Sequence, residues 1–161
     1  MDVSALENLT NLTFLKMPAN IKDLEPLRNL TNLTTLNLQG GYSSRDTGGF
    51  RSLEPLRGLR QLSSLYIASQ TAMDLSPLGD LTNLQTLSFV LVVSSSDTFL
   101  DLTPLGKLTK LTSLEISNVC RVGSLEPLRG LTELKTFTFS IWGMDKLDLS
   151  PVAHVPTVNI Q

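Results

Sequence analysis

The residues best equipped for chemistry are few. His154 and Cys120 are the single histidine and the single cysteine of 161 residues. Paired, they would suit nucleophilic catalysis, in which a base within hydrogen-bond reach takes the proton of an attacking thiol. Asp97 and Asp101 supply the oxygen ligands that a hard cation prefers, although a solvated loop accounts for them more simply. No zinc-ligand spacing, no glycine loop that follows a strand to cradle phosphate and no nucleophile elbow accompanies them. The sequence therefore predicts no catalytic residue, no metal site and no cofactor. The elements that carry these side chains also keep His154 and Cys120 apart, as the register below makes plain.

Composition narrows the partners. Hydrophobic residues make up 41% and charged residues 17% of the chain, with a net charge of −2. A near-neutral chain lacks the clustered Lys and Arg that displace counterions from a duplex, so no nucleic-acid partner is expected. The opening MDVSALENLTNLTFL has neither the basic start nor the unbroken apolar core of an export signal, and no window has the length of a membrane span. A lone cysteine excludes an intrachain disulfide framework and suits a reducing compartment. The expected location is cytoplasmic, with a secreted or cell-surface one if an export signal has been removed.

Internal repeats set the organisation. Apolar residues fall at Leu24, Leu27, Leu30, Leu33, Leu36 and Leu38, with steps of three and a final step of two. Steps of three suit tight coils; the step of two puts Leu36 and Leu38 on one face of a short strand. Further copies begin at Val3, Leu53, Leu75, Leu102 and Leu125, and a shortened one runs from Leu149 to Ile160. In the six full copies the span from first to last apolar point is 14 residues, whereas the stretch from there to the next copy varies from 7 to 15. Insertions thus leave every coil at one place, the strand exit. This predicts a single domain over 1–161, with repeats at about 3–23, 24–52, 53–74, 75–101, 102–124 and 125–148 and a degenerate repeat at 149–161. Because a solenoid needs polar-faced ends and the first repeat starts almost at once, the N-terminus is expected to have been cut from a longer chain.

Proline keeps the same register, at Pro26, Pro55, Pro77, Pro104, Pro127 and Pro151. Its missing N–H is harmless in the first turn of a helix, so each copy is expected to open with a helical or 3-10 turn, with Ser76 and Thr103 as N-caps. The pairs Glu25/Arg28, Glu54/Arg57 and Glu126/Arg129 lie three apart on this segment, where exposed pairs chiefly serve solubility. His154 belongs to it too, and Cys120 to a strand exit.

The stretches LEPLRNLTNLTTLNL, DLSPLGDLTNLQTLSF and DLTPLGKLTKLTSLEI resemble the leucine-rich repeats of bacterial internalin-like proteins and of the related protein-phosphatase regulatory-subunit type. The likeness covers nearly the whole chain. It implies an α/β solenoid: a right-handed superhelix with a parallel concave sheet of about seven short strands, short helical or 3-10 turns on the convex side, and a platform for other proteins. The family places an asparagine three residues after the last strand position. Asn20 obeys, Gly41, Gln70, Val92, Val119 and Trp142 depart, and Asn118 lies one residue early; the departure touches the loops and not the sheet.

If Leu36 and Leu38 point inward, their neighbours point out. The predicted outward columns include Phe14 in the first and Lys16, Asn37, Tyr66, Ser88, Glu115 and Thr138 in the second; Pro18, Gln39, Ala68, Val90, Ser117, Ser140 and Gln161 stand in a third. Short polar and β-branched residues are what a solvated sheet face favours anyway, so Phe14 and Tyr66 stand out as aromatic anchors for a protein or peptide partner. Among the strand exits, Tyr42, Arg45 and Phe50 are candidate contacts in the loop Gly40 to Ser52, Phe99 in a possible hairpin over Val90 to Asp101, and Trp142 in the exit after Ile141. The resemblance and these faces suggest a protein-recognition scaffold, such as the C-terminal sensing domain of a larger receptor. A secreted internalin-like adhesin or effector and the targeting arm of an enzyme are the alternatives.

Overall fold

The computed structural model describes residues 3–17, 21–39, 50–69, 73–91, 99–119, 121–141 and 147–161. Nine strands occur among them: β1 (Phe14–Met17), β2 (Thr35–Leu38), β3 (Ser64–Ser69), β4 (Thr86–Leu91), β5 (Phe99–Leu100), β6 (Ser113–Val119), β7 (Arg121–Val122), β8 (Thr136–Ile141) and β9 (Thr157–Ile160). Seven form one open sheet in the order β1-β2-β3-β4-β6-β8-β9. Every pairing in it is parallel and, up to the shift in β6 beyond Ile116, joins equivalent template positions, so Leu36 stands between Leu15 and Leu65, and Phe89 between Ile67 and Ile116. Parallel neighbours need a crossover, and here the rest of each coil supplies it.

The threefold leucine spacing is also a hydrogen-bond spacing. Leu27 N–H donates to the Leu24 carbonyl at 2.9 Å, Leu30 to Leu27 at 3.0 Å and Leu33 to Leu30 at 3.0 Å, and other coils repeat the chain. With three residues per turn, side chains at i and i+3 eclipse, which aims successive leucines at one core. The prolines occupy the first turn of the 3-10 segments Glu25–Leu27, Glu54–Leu56, Ser76–Asp80, Thr103–Lys107, Glu126–Gly130 and Ser150–Val152.

Capping differs from the sequence expectation. Ser76 and Thr103 are not the caps; each donates its own N–H backwards, to Asp74 Oδ1 at 2.8 Å and Asp101 Oδ1 at 2.9 Å. The acceptor therefore sits one residue before the first leucine, an arrangement in which a short polar side chain bonds backbone two residues on. Asp23, Ser52, Ser124 and Asp148 do the same for Glu25, Glu54, Glu126 and Ser150. Hydroxyl and then N–H bonds from Ser76 and Thr103 hold the Asp74 and Asp101 carboxyls below the usual aspartate range, and N–H and then hydroxyl bonds from Ser150 do so for Asp148.

At the strand entrance the coils are stitched together. The Thr13 carbonyl accepts the N–H groups of Thr34 and Thr35 at 2.8 and 3.0 Å, and the Thr34 hydroxyl joins them at 3.0 Å. Thr34, Ser63, Gln85 and Thr112 each present a carbonyl to two N–H groups of the following coil in the same way. Hydroxyls of Ser63 and Thr112 repeat the third bond.

The core holds a column absent from the six-point template. Ile21, Phe50, Leu100 and Val122 are buried, and Met73 and Leu147 half-buried, each two or three residues before the first leucine of its coil. Phe50, expected as a loop contact, is a member of this column, 5% exposed. The chain returning from each strand exit must dive back into the stack, and an apolar side chain at that point is drawn under the sheet. The hairpin expected over Val90 to Asp101 falls mostly outside the described residues, and its described end takes part in this return. Phe99–Leu100 pairs in parallel with Arg121–Val122 of the next coil, not back onto β4.

Asn118 takes a left-handed backbone, φ 60°, which asparagine tolerates better than most residues. The β6–β8 register shifts there, so that Val119, buried, pairs with Ile141.

Candidate functional site

Alternation along the strands presents one row of side chains to the open, concave face. The ladder places Lys16, Asn37, Tyr66, Ser88, Glu115, Thr138 and Asn159 side by side, one per strand. Lys16 is exposed; Asn37, Tyr66, Ser88, Glu115 and Thr138 are half-buried among their neighbours. Phe14 heads the adjacent row and is 60% exposed. The structure thus brings the predicted concave residues onto one surface.

The third row departs from expectation. Ala68 and Val90 are buried, at 1% and 9% exposure, and Ser69 and Leu91 beside them are buried as well. Both faces of the sheet are thus closed at the exit edge of β3 and β4. In the same row Ser117 and Ser140 stay half-buried and Gln39 and Gln161 exposed, so binding surface is left to the first two rows and to these residues. Pro18, Tyr42, Arg45 and Trp142 lie outside the described residues, as does Cys120.

Polar chemistry on this face centres on Glu115. Ser88 Oγ donates to its Oε2 at 2.7 Å and Ser117 Oγ to its Oε1 at 3.1 Å, which fixes the carboxylate plane. Further along, Asn159 Nδ2 makes a long contact of 3.4 Å with Thr138 Oγ1. Asn37 Oδ1 is buried and accepts no hydrogen bond. A pattern scan for inward apolar residues could not have found the serine bracket, since it depends on which outward residues meet across strands.

The convex side is built differently. Arg28, Arg57 and Arg129 pair with Glu25, Glu54 and Glu126 at 2.6–2.7 Å. Hydrogen bonds from these arginines hold the three glutamates below the usual carboxylate range. Arg57 also reaches the next coil, bonding Asp80 at 2.8 Å and lowering its carboxyl. His154 Nε2 lies 2.9 Å from the Leu131 carbonyl, which can only accept, so the ring nitrogen carries the proton and ties the last coil to the one before. Among the described residues no three His, Cys, Asp or Glu side chains gather as metal ligands, and no helix is long and apolar enough to cross a membrane.

Coils of one size, strands in one register and 3-10 turns opposite them define a leucine-rich-repeat solenoid. The chain is similar to the solved internalin C2 of Listeria monocytogenes, with a TM-score of 0.80 and 30% identity over 100% of this chain and 66% of that one. It is also similar to the internalin inlF of the same organism, with a TM-score of 0.62 and 28% identity over 99% of this chain and 51% of that one. It therefore spans just under two thirds of the first protein and about half of the second. No protein-family model and no curated protein matches the sequence. The chain is a leucine-rich-repeat protein of the bacterial internalin-like type.

Proposed function

We propose that the chain is a protein-recognition scaffold that docks a polypeptide partner on its concave sheet. The observation that carries this reading is the in-register row from Lys16 to Thr138, whose side chains the core does not use and which the stack holds rigidly side by side. Phe14 and Tyr66 supply aromatic area on a face otherwise made of hydroxyls and amides, and such residues tend to dominate binding energy. Within this reading the domain serves as the sensing part of a larger receptor in the cytoplasm, the compartment that a lone thiol suits. The likeness to internalin C2 favours a second reading, a secreted adhesin or effector that binds a host protein. An enzyme-targeting arm would use the same face.

The test is selection of a displayed random peptide library on the immobilised chain. Phe14→Ala with Tyr66→Ala is expected to weaken capture of the selected peptides at least about tenfold while circular dichroism and the thermal midpoint stay unchanged. Capture that survives the double change would place docking elsewhere.

A further inference from the structure

One carboxylate on the concave face stands without a cationic partner. Glu115 holds the Ser88 and Ser117 hydroxyls, yet makes no ion pair with any described residue. Among the described residues the outward rows carry just one other charged side chain, Lys16, on β1. On the convex side Glu25, Glu54 and Glu126 are exposed and each is answered by an arginine within 3 Å, whereas Glu115 is half-buried on the concave face and is held by hydroxyls alone.

We infer that the concave row selects an extended polypeptide segment bearing an arginine or lysine, whose cationic group seats on Glu115. This rests on the docking face proposed above and names the chemistry of its occupant. The carboxylate is pre-oriented by two hydroxyls, and a planar carboxylate held in place matches a guanidinium fork, making the charge-assisted bond shorter and stronger than a neutral one. Geometry sets the spacing. β1 and β6 are four strand intervals apart, about 19 Å at ~4.8 Å each. At about 3.3 Å per extended residue a segment spans that distance in roughly six residues, so an acidic residue some six positions from the basic one meets Lys16. The order of charges fixes the direction in which the segment lies across the sheet.

The library selected on the full chain provides the probe. Selected peptides are expected to be enriched in Arg or Lys, with Asp or Glu about six positions away. A capped synthetic copy of a selected peptide should bind Glu115→Gln about tenfold more weakly, and raising the salt should weaken the parent complex more than that of the variant, which keeps only the Lys16 contact. Glutamine keeps the shape and the serine bonds, so the variant folds; an unchanged thermal midpoint checks this. If Phe14→Ala with Tyr66→Ala abolishes capture but basic residues are not enriched, or Glu115→Gln binds equally well, the charge inference falls and the docking face stands. If neither set of changes affects capture, both fall.

Discussion

In the coil that carries β3, Leu53, Leu56, Leu59, Leu62, Leu65 and Ile67 are all sealed from solvent. In the first coil the equivalent Leu6, Leu12 and Leu15 are only half-buried and Leu9 is exposed, and in the last coil Leu149, Val158 and Ile160 are exposed. The first coil keeps the spacing of the β3 coil, and the last keeps it but for one lost step of three. What differs is the number of neighbours: a coil between two others has its apolar side chains covered from both sides, and an outermost coil from one. Spacing sets the direction in which a side chain points; stacking sets whether pointing there removes it from water. Stability in such an assembly is a sum of neighbour interfaces.

The contrast is sharpest for a single leucine. Leu87→Ala, in the middle of the stack, is expected to cost about 2–5 kcal/mol, and Leu9→Ala less than about 1 kcal/mol, both measured by urea denaturation. Equal losses would show that the ends are as tightly held as the middle. A smaller difference is expected where coils touch on the convex side. A Cβ on Gly106 would lie 2.8 Å from the Pro127 carbonyl oxygen, while one on Gly130 meets nothing within 4 Å. Gly106→Ala should therefore cost about 1–3 kcal/mol and Gly130→Ala within about 0.5 kcal/mol of nothing, a pair that tests how close the inner coils lie.

The smallest expected effect is on pH dependence. Asp74, Asp101 and Asp148 have lowered pKa values in the folded chain, so their stabilisation is complete above the unfolded aspartate value near 3.9 and is lost as pH falls through the lower folded values. The thermal midpoint should hold from pH 7 to about pH 5 and fall below about pH 4. Asparagine at all three positions keeps an acceptor and removes the titration, so the triple variant should show a shallower acid fall. An identical acid profile would mean that these turns contribute nothing that depends on charge.

Much of this architecture was legible in the sequence, because the period of three with a final step of two fixes both turn and strand, and every template leucine of the inner coils is buried. The concave row was legible for the same reason: with Leu36 and Leu38 inward, Asn37 has to face out. Three features were not. The Asp/Ser caps escaped because their acceptor lies before the leucine and not at the residue preceding proline. The column of Ile21, Phe50, Leu100 and Val122 escaped because it sits in the part of each repeat whose length varies. Ala68 and Val90 were assigned to solvent by alternation alone, which cannot tell that a strand edge is covered on both faces. The serine bracket around Glu115 needed the register of β4 on β6.

The stitch at the strand entrance carries a consequence for how the chain reaches this state. Its hydroxyl bonds join residues 21 to 29 apart in sequence, the length of a single coil, whatever the number of coils. Closing the loop for one added coil thus costs about the same entropy at any point of the assembly. Growth can therefore start from any pair of coils that forms first, and a chain emerging from a ribosome can add coils one at a time without waiting for its distant end.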